Sequence, residues 1–433
     1  MKSKRRHISD CISEFNLAMY QQGASDNPSA NMFLSPTCIS IVMLMVYIGA
    51  RNRSEDQMAK ALKLEGTDKH HVLEDVHKLV EKLKTASNNT VQTANSLFPH
   101  CDKIIFDSFI STVRKYFQSE IKSMDFTTAP EKSRVTINEW VEKETNNKIK
   151  EILPEGSLTP LTSLVIVNAI YFKANWEIPF EPRCTEIKTF ITLNSDKVKV
   201  KMMRAKKMED IDFYRSRSLN CKVLKLKYEN THIAMLVVLP NETDGLPKLE
   251  SEMDLKTLKE LISKLSTKDV EVSLPKFKME TTTQLKPLLS KLGMVDIFDE
   301  ELADLSGTGK DLYVSEVYHK TFIDVNEEGT EAGAATAAVE VSRSLDEMAS
   351  FKADHPFMFI IWHDDLNIPL FIGRLVTPEI VEEDSSSHHS HSDHSNRNHR
   401  RRRQRSRSYD RYTRRRNDSS SDDDRHGYRK RRR

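Results

Sequence analysis

Residues able to do catalytic chemistry are present in this chain of 433 residues, but not at the spacings that chemistry requires. There is no Gly-x-Ser-x-Gly elbow to raise a nucleophilic serine, and no His-Glu-x-x-His to hold a metal beside a base. Gly307-Thr-Gly-Lys310 lacks the leading glycine spacing and the trailing Ser/Thr of a phosphate-cradling loop. The cysteines, Cys11, Cys38, Cys101, Cys184 and Cys221, are odd in number, widely spaced and without a Cys-x-x-Cys. They read as reduced thiols, not as a disulfide frame or a zinc site. An enzyme, a metal centre and a cofactor are therefore not expected.

What does call for a chemical explanation is the segment from Glu327 to Leu345, Glu-Glu-Gly-Thr-Glu-Ala-Gly-Ala-Ala-Thr-Ala-Ala-Val-Glu-Val-Ser-Arg-Ser-Leu. It has no proline and little of the Asn and Asp that punctuate loops. As a helix it is weakened by Gly329, Gly333 and its threonines. As a strand it would alternate faces. One face would show Thr330, Ala332, Ala334, Thr336 and Ala338, all small and uncharged. The other would show Glu331, Gly333, Ala335 and Ala337. Such a segment can be extended and exposed in one state and a packed strand in another, with Gly329 as the hinge. Composition alone leaves this latent strand open beside a plain Ala-rich linker.

The surrounding elements are legible from periodicity. Ile8, Cys11, Ile12, Phe15 and Ala18 make a helical stripe over 8–22. Ser35-Pro36 supplies a helix cap with proline at the first helical position, opening a helix over 37–48 that is apolar all round and belongs inside. Segments 73–83, 106–117, 136–149, 255–265 and 283–292 also read as helices. Leu164–Phe172 is too apolar for an edge and reads as a central strand. Segments 223–226, 233–239, 270–274, 312–325, 357–362 and 369–375 read as further strands. Helices crowd the first half and strands the second, which predicts an α+β fold with large antiparallel sheets.

No apolar run reaches the length of a membrane span. The basic start, Met1 to Arg6, is followed by polar residues and no apolar core of a signal peptide, so a cytoplasmic or nuclear protein is expected. Sequons at Asn52, Asn88 and Asn241 keep secretion open. The residues from Val381 onward hold 17 Arg and Lys against 9 Asp and Glu, a net of +8, while the whole chain carries +2. The rest is therefore acidic by about 6 charges. The Ser, His and Arg-rich stretch 381–433 cannot bury enough apolar surface to order itself and is expected to be disordered. Its arginine runs, Arg400–Arg403, Arg414–Arg416 and Arg429–Arg433, suit polyanion binding or nuclear import, and His388, His389, His391 and His394 suit weak metal binding.

Several motifs, in order, resemble the serpins across roughly residues 7–380. They are Asn31-Met-Phe-Leu-Ser-Pro36, Val46-Tyr-Ile-Gly-Ala-Arg51, Asn138-Glu-Trp-Val141, Thr145-Asn-Asn-Lys-Ile149, Val167-Asn-Ala-Ile-Tyr-Phe-Lys173 with Trp176, Leu274-Pro-Lys-Phe277, His355-Pro-Phe357 and Phe371-Ile-Gly-Arg374. The most specific is the hinge Glu327-Glu328-Gly329-Thr330-Glu331-Ala332. The resemblance, closest to the intracellular ovalbumin-like branch, implies a serpin domain over 1–380 with about nine helices, three β-sheets and an exposed reactive-centre loop. It also implies a monomer that inhibits proteases as a suicide substrate. The protease cuts the loop and is held as an acyl-enzyme, and the hinge then inserts as a strand that carries the enzyme away.

The family register puts the cut at the end of the seventeenth residue from Glu327, which makes Arg343–Ser344 the scissile bond. Arginine there suits a trypsin-like serine protease, whose pocket carboxylate pairs with the guanidinium. Lys276 and Glu327 resemble the pair that holds the top of the sheet, with Trp176 beside it. Ser35, Asn168 and His319 resemble the polar cluster beneath the sheet centre. Cys38 departs from the family there, where a serine is common, and a thiol is a weak hydrogen-bond donor.

Overall fold

The computed structural model describes residues 6–86, 91–330 and 348–381, the side chains of 85 and 86 excepted. The chain divides into two units, Met1–Glu382 and Glu383–Arg433, the second wholly outside the described residues. The expectations for Glu331 to Ala338, for Arg343 and Ser344 and for the basic tail likewise fall outside them.

Nine α-helices are described, in an α+β arrangement. The first, Ile8–Asp26, buries Ile8, Cys11, Ile12 and Phe15, the predicted stripe. The second, Pro36–Gly49, is buried at every residue from Pro36 to Tyr47. Its Ser35 does not cap it. The hydroxyl donates instead to Leu370 O at 2.8 Å, because tying the helix start to a neighbouring strand satisfies a buried carbonyl.

Three predicted helices change most in their bounds. The 106–117 stretch is α-helical over Asp107–Thr112 and a π-turn over Val113–Phe117. The 136–149 helix is Pro130–Glu144, stopped by Asn146 and Asn147 in left-handed backbone. Most of the 283–292 helix is the short Lys286–Lys291, because the alternating Phe277–Gln284 stretch before it is a strand. The 20-residue strand Lys197–Ser216 escaped the sequence reading, since its lysines resemble a surface loop.

The described strands form two hydrogen-bonded ladders. The three expected sheets reduce to two because Lys197–Ser216 runs through one continuous nine-stranded ladder, pairing Glu186–Ile191 and Ser266–Pro275 along its length and Cys221–Lys227 at its end. The seven-stranded sheet runs Glu120–Ile121, Val91–Pro99, Leu164–Phe172, Val314–Val325, Gly329–Thr330, Ala174–Asn175, with Phe277–Gln284 on the outer side of Val314–Val325. Leu164–Phe172 is central, as its composition required.

Both faces of that strand are covered, which explains its unbroken apolar run. Val165, Val167, Ala169 and Tyr171 pack with Ile137 and Val141 of the Pro130–Glu144 helix. Ile166, Ile170 and Phe172 face the core that includes the Pro36–Gly49 helix. By alternation Asn168 lies on this second face. Leu164–Phe172 and Val314–Val325 pair in parallel from Val314↔Leu164 to Phe322↔Tyr171, whereas their other pairings with Val91–Pro99 and Phe277–Gln284 are antiparallel.

Candidate functional site, a seam in the seven-stranded sheet

The two parallel strands define a seam, and the chain returns to it of its own accord. After Val325 it turns through Asn326–Glu328 and comes back as Gly329–Thr330. Thr330 pairs antiparallel with Val325 on one side and with Ala174 on the other, and Gly329 pairs with Asn175. The first residues of the hinge segment thus stand between the strands at one end of the seam. Gly329 is required there by space. A Cβ on it would lie 2.2 Å from Ala174 O.

The turn before it is held from several directions. Trp176 donates from Nε1 to Asn326 O at 3.0 Å and from its backbone to Glu328 O at 2.9 Å. Phe180 N donates to Glu327 O at 2.8 Å. Lys276 Nζ reaches Glu327 Oε2 at 2.7 Å, and Thr185 Oγ1 donates to Glu327 Oε1 at 2.6 Å. Burial, the largest influence, pushes the Glu327 carboxyl up, but Lys276, Thr185 and a backbone amide together carry it below its ordinary value.

Beneath the turn, the Trp176 ring stacks on Tyr228 with centroids 4.6 Å apart. The Tyr228 hydroxyl hydrogen-bonds Thr330 Oγ1 at 2.8 Å, and burial raises its ionisation well above the ordinary tyrosine range. Thr330 is wholly buried.

Further along the seam lies the polar cluster. His319 and Asn168 are opposite each other in the parallel register. Asn168 Oδ1 meets His319 Nδ1, and its Nδ2 donates to Asn95 Oδ1 on Val91–Pro99. Ser35 N donates to His319 Nε2 at 3.0 Å. Nε2 is then the acceptor and Nδ1 carries the proton, a neutral ring with both nitrogens satisfied. Burial drives its pKa down to about 3. Cys38, one turn into the Pro36–Gly49 helix, is buried, and desolvation pushes its thiol up to about 12 against a weak opposing contact with Ser35. It is an inert thiol.

The sequence had singled out Trp176, Lys276, Glu327, Ser35, Cys38, Asn168 and His319. The structure brings them together as two groups along one seam. It adds Thr185, Tyr228 and Asn95, which sequence reasoning missed. Asn95 could have been found, as a second amide in mid-strand needing a partner. Thr185 and Tyr228 sit beside turns with no periodic signal. Among the described residues, His100, Cys101 and Asp102 are the one group spaced to hold a metal ion, and they directly follow the Val91–Pro99 strand.

A mixed fold with a short chain return between two sheet strands matches the serpin architecture that the motifs implied. The comparisons agree. The model of the family described as "Serpin (serine protease inhibitor)" matches residues 10–378. Leukocyte elastase inhibitor of Bos taurus is 38% identical over 379 residues, covering 86% of this chain and 99% of that protein. Serpin B6 of Macaca fascicularis is 38% identical over 378 residues, with the same coverage of each chain. The solved structure of Serpin48 from the insect Tenebrio molitor superposes with a TM-score of 0.76 at 29% identity, covering 88% of this chain and 100% of that one. The protein belongs to the serpin family, whose members named here are inhibitors and not enzymes.

Proposed function

We propose that this protein inhibits a trypsin-like serine protease as a suicide substrate, offering Arg343–Ser344 as the bond to be cut. The observation that carries the reading is the seat of Gly329–Thr330 between Val325 and Ala174, and the small residues Ala332, Ala334, Thr336 and Ala338 follow Thr330 at alternate positions in the sequence. The protease serine attacks the Arg343 carbonyl, the Ser344 amine leaves with a proton, and Arg343 remains esterified to the enzyme. The freed hinge then adds to the seam as a strand antiparallel to both neighbours and takes the acyl-enzyme with it. Lys276, Trp176 and Glu327 govern the opening of the seam, and Asn168, His319, Ser35 and Cys38 govern its parting further along.

Arginine at 343 supports a trypsin-like target even though several relatives are named for leukocyte elastase, because an elastase pocket is small and has no carboxylate for a guanidinium. The protein acts as a monomer in the cytoplasm or nucleus. Its five thiols are unpaired, and no described helix is long and apolar enough to cross a membrane. The 381–433 segment gives it a polyanion-binding arm.

Incubation with trypsin and with leukocyte elastase tests the reading. A covalent, SDS-resistant complex with trypsin, lost in Arg343→Ala, is expected. Clean turnover without a complex overturns inhibition, and a complex formed with elastase in place of trypsin overturns the assigned target. A mobility shift of heparin or nucleic acid that persists in a chain ending at 381 removes the role given to the arm.

A further inference from the structure

We propose that the turn at His100–Asp102 binds a divalent cation of the zinc class through His100 Nε2, Cys101 Sγ and a carboxylate oxygen of Asp102. This site shares no named residue with the inhibitory seam and does not depend on it.

The turn closes the chain just after the Val91–Pro99 strand, with Lys103 N donating to His100 O at 3.0 Å. It gathers three different donors whose ligand atoms lie within 4.8 Å of one another. His100 Nε2 is 3.4 Å from Asp102 Oδ2, and Cys101 Sγ is 3.7 Å from Asp102 Oδ1. A nitrogen, a sulfur and an oxygen donor suit zinc, with water completing a tetrahedron. The mixture is too soft for magnesium or calcium.

The three donors are built unequally. The His100 side chain is 9% exposed and Asp102 is 84% exposed. His100 is fixed from behind, where Phe126 N donates to Nδ1 at 3.1 Å and Met124 O also lies 3.1 Å from Nδ1, while Nε2 lies 3.1 Å from Thr127 Oγ1. When Nε2 gives its lone pair to a cation, the ring proton moves to Nδ1, which exchanges the Phe126 N–H bond for donation to Met124 O. Donation to a carbonyl is an arrangement that orients metal-binding histidines. Cys101 and Asp102 are free to rotate the short distance that closes the set around an ion.

The surroundings are anionic. The carboxylates of Asp102 and Asp125 act on Cys101. They attract a cation, which displaces the thiol proton to solvent as the Cys101–metal bond forms.

The full-length protein, titrated with Co2+ as the spectroscopic probe under reducing conditions, provides the test. A thiolate-to-cobalt charge-transfer band is expected, displaced by Zn2+. Cys101→Ser should abolish the band, Asp102→Asn should weaken Co2+ binding at least tenfold, and Cys184→Ser should leave both unchanged. The two ligand residues changed are exposed, so both variants fold. The His-rich stretch at 388–394 can take up cobalt but has no sulfur, so it produces no such band. Cobalt bound without the band, or a band surviving Cys101→Ser, overturns the site.

Discussion

The two ends of the seam are made of opposite materials. Where the hinge enters, the contacts are charged or aromatic and partly open to solvent. Glu327 is held by Lys276, whose side chain is 33% exposed, and Trp176 lies flat on Tyr228. At the middle, Asn168, His319 and Ser35 are neutral and wholly buried. An ion pair whose lysine stays one-third exposed is worth less than a fully buried one, because water still competes for the ammonium. A buried network with every group satisfied is costly to disturb, because each broken bond strands a desolvated group. On the mechanism proposed above, the hinge end is the one to yield and the middle the one to resist, so the seam would open from the turn inward.

The contrast is breakable. The largest effect is expected from Thr330→Arg, which forces a charge into the closed seat beside Tyr228. Covalent complex with trypsin should fall at least a hundredfold on a gel, with cleavage continuing, because the loop remains a substrate but cannot insert. Undiminished complex would detach the seat from trapping.

Next comes His319. Its pKa is about 3 when folded and 6.5 when free, so between these values the unfolded chain binds the extra proton. Stability is then full above about pH 6.5 and declines as pH falls toward 3, by about 2 kcal/mol at pH 5. His319→Gln should flatten that slope in urea denaturation between pH 7 and 5, besides costing about 2 kcal/mol at pH 7 from the stranded Asn168 and Ser35 groups. An unchanged slope would show that the ring is not the titrating group.

Lys276→Ala should cost about 1 kcal/mol or less at pH 7, a figure discounted for the lysine's solvent exposure. It should also speed hinge insertion, read as a faster loss of inhibitory activity on warming. A loss of stability matching that of His319→Gln would erase the distinction between the two ends. Cys38→Ser should do least, within about 1 kcal/mol by thermal melting, because it exchanges one small buried donor for a stronger one near Ser35.

The parts of this fold that were legible in the sequence are those where burial writes a pattern. Leu164–Phe172 announced a two-sided strand, and the apolar Pro36–Gly49 helix announced a central one. The hinge stood out because a loop without loop residues contradicts its own position. What stayed hidden lacks such a signature. The lysines of Lys197–Ser216 alternate with buried residues but read as surface, and Tyr228 and Thr185 reach the seam only because distant turns converge. Arg374 is instructive. Within Phe371-Ile-Gly-Arg374 nothing in the pattern reports its partner, and it is buried against Glu250 at 3.1 Å, with Tyr20 on the same carboxylate at 2.6 Å. Burial alone pushes that carboxyl up, and the arginine and tyrosine only partly offset it.

The short return of Gly329–Thr330 into the sheet has a consequence for supply. On the mechanism proposed above, a strand already seated at its first residues would need no partner to finish, so the active form would be a clock as well as a trap. Each molecule would then be spent once, by an enzyme or by time, and protection would scale with how fast the chain is synthesised relative to that clock.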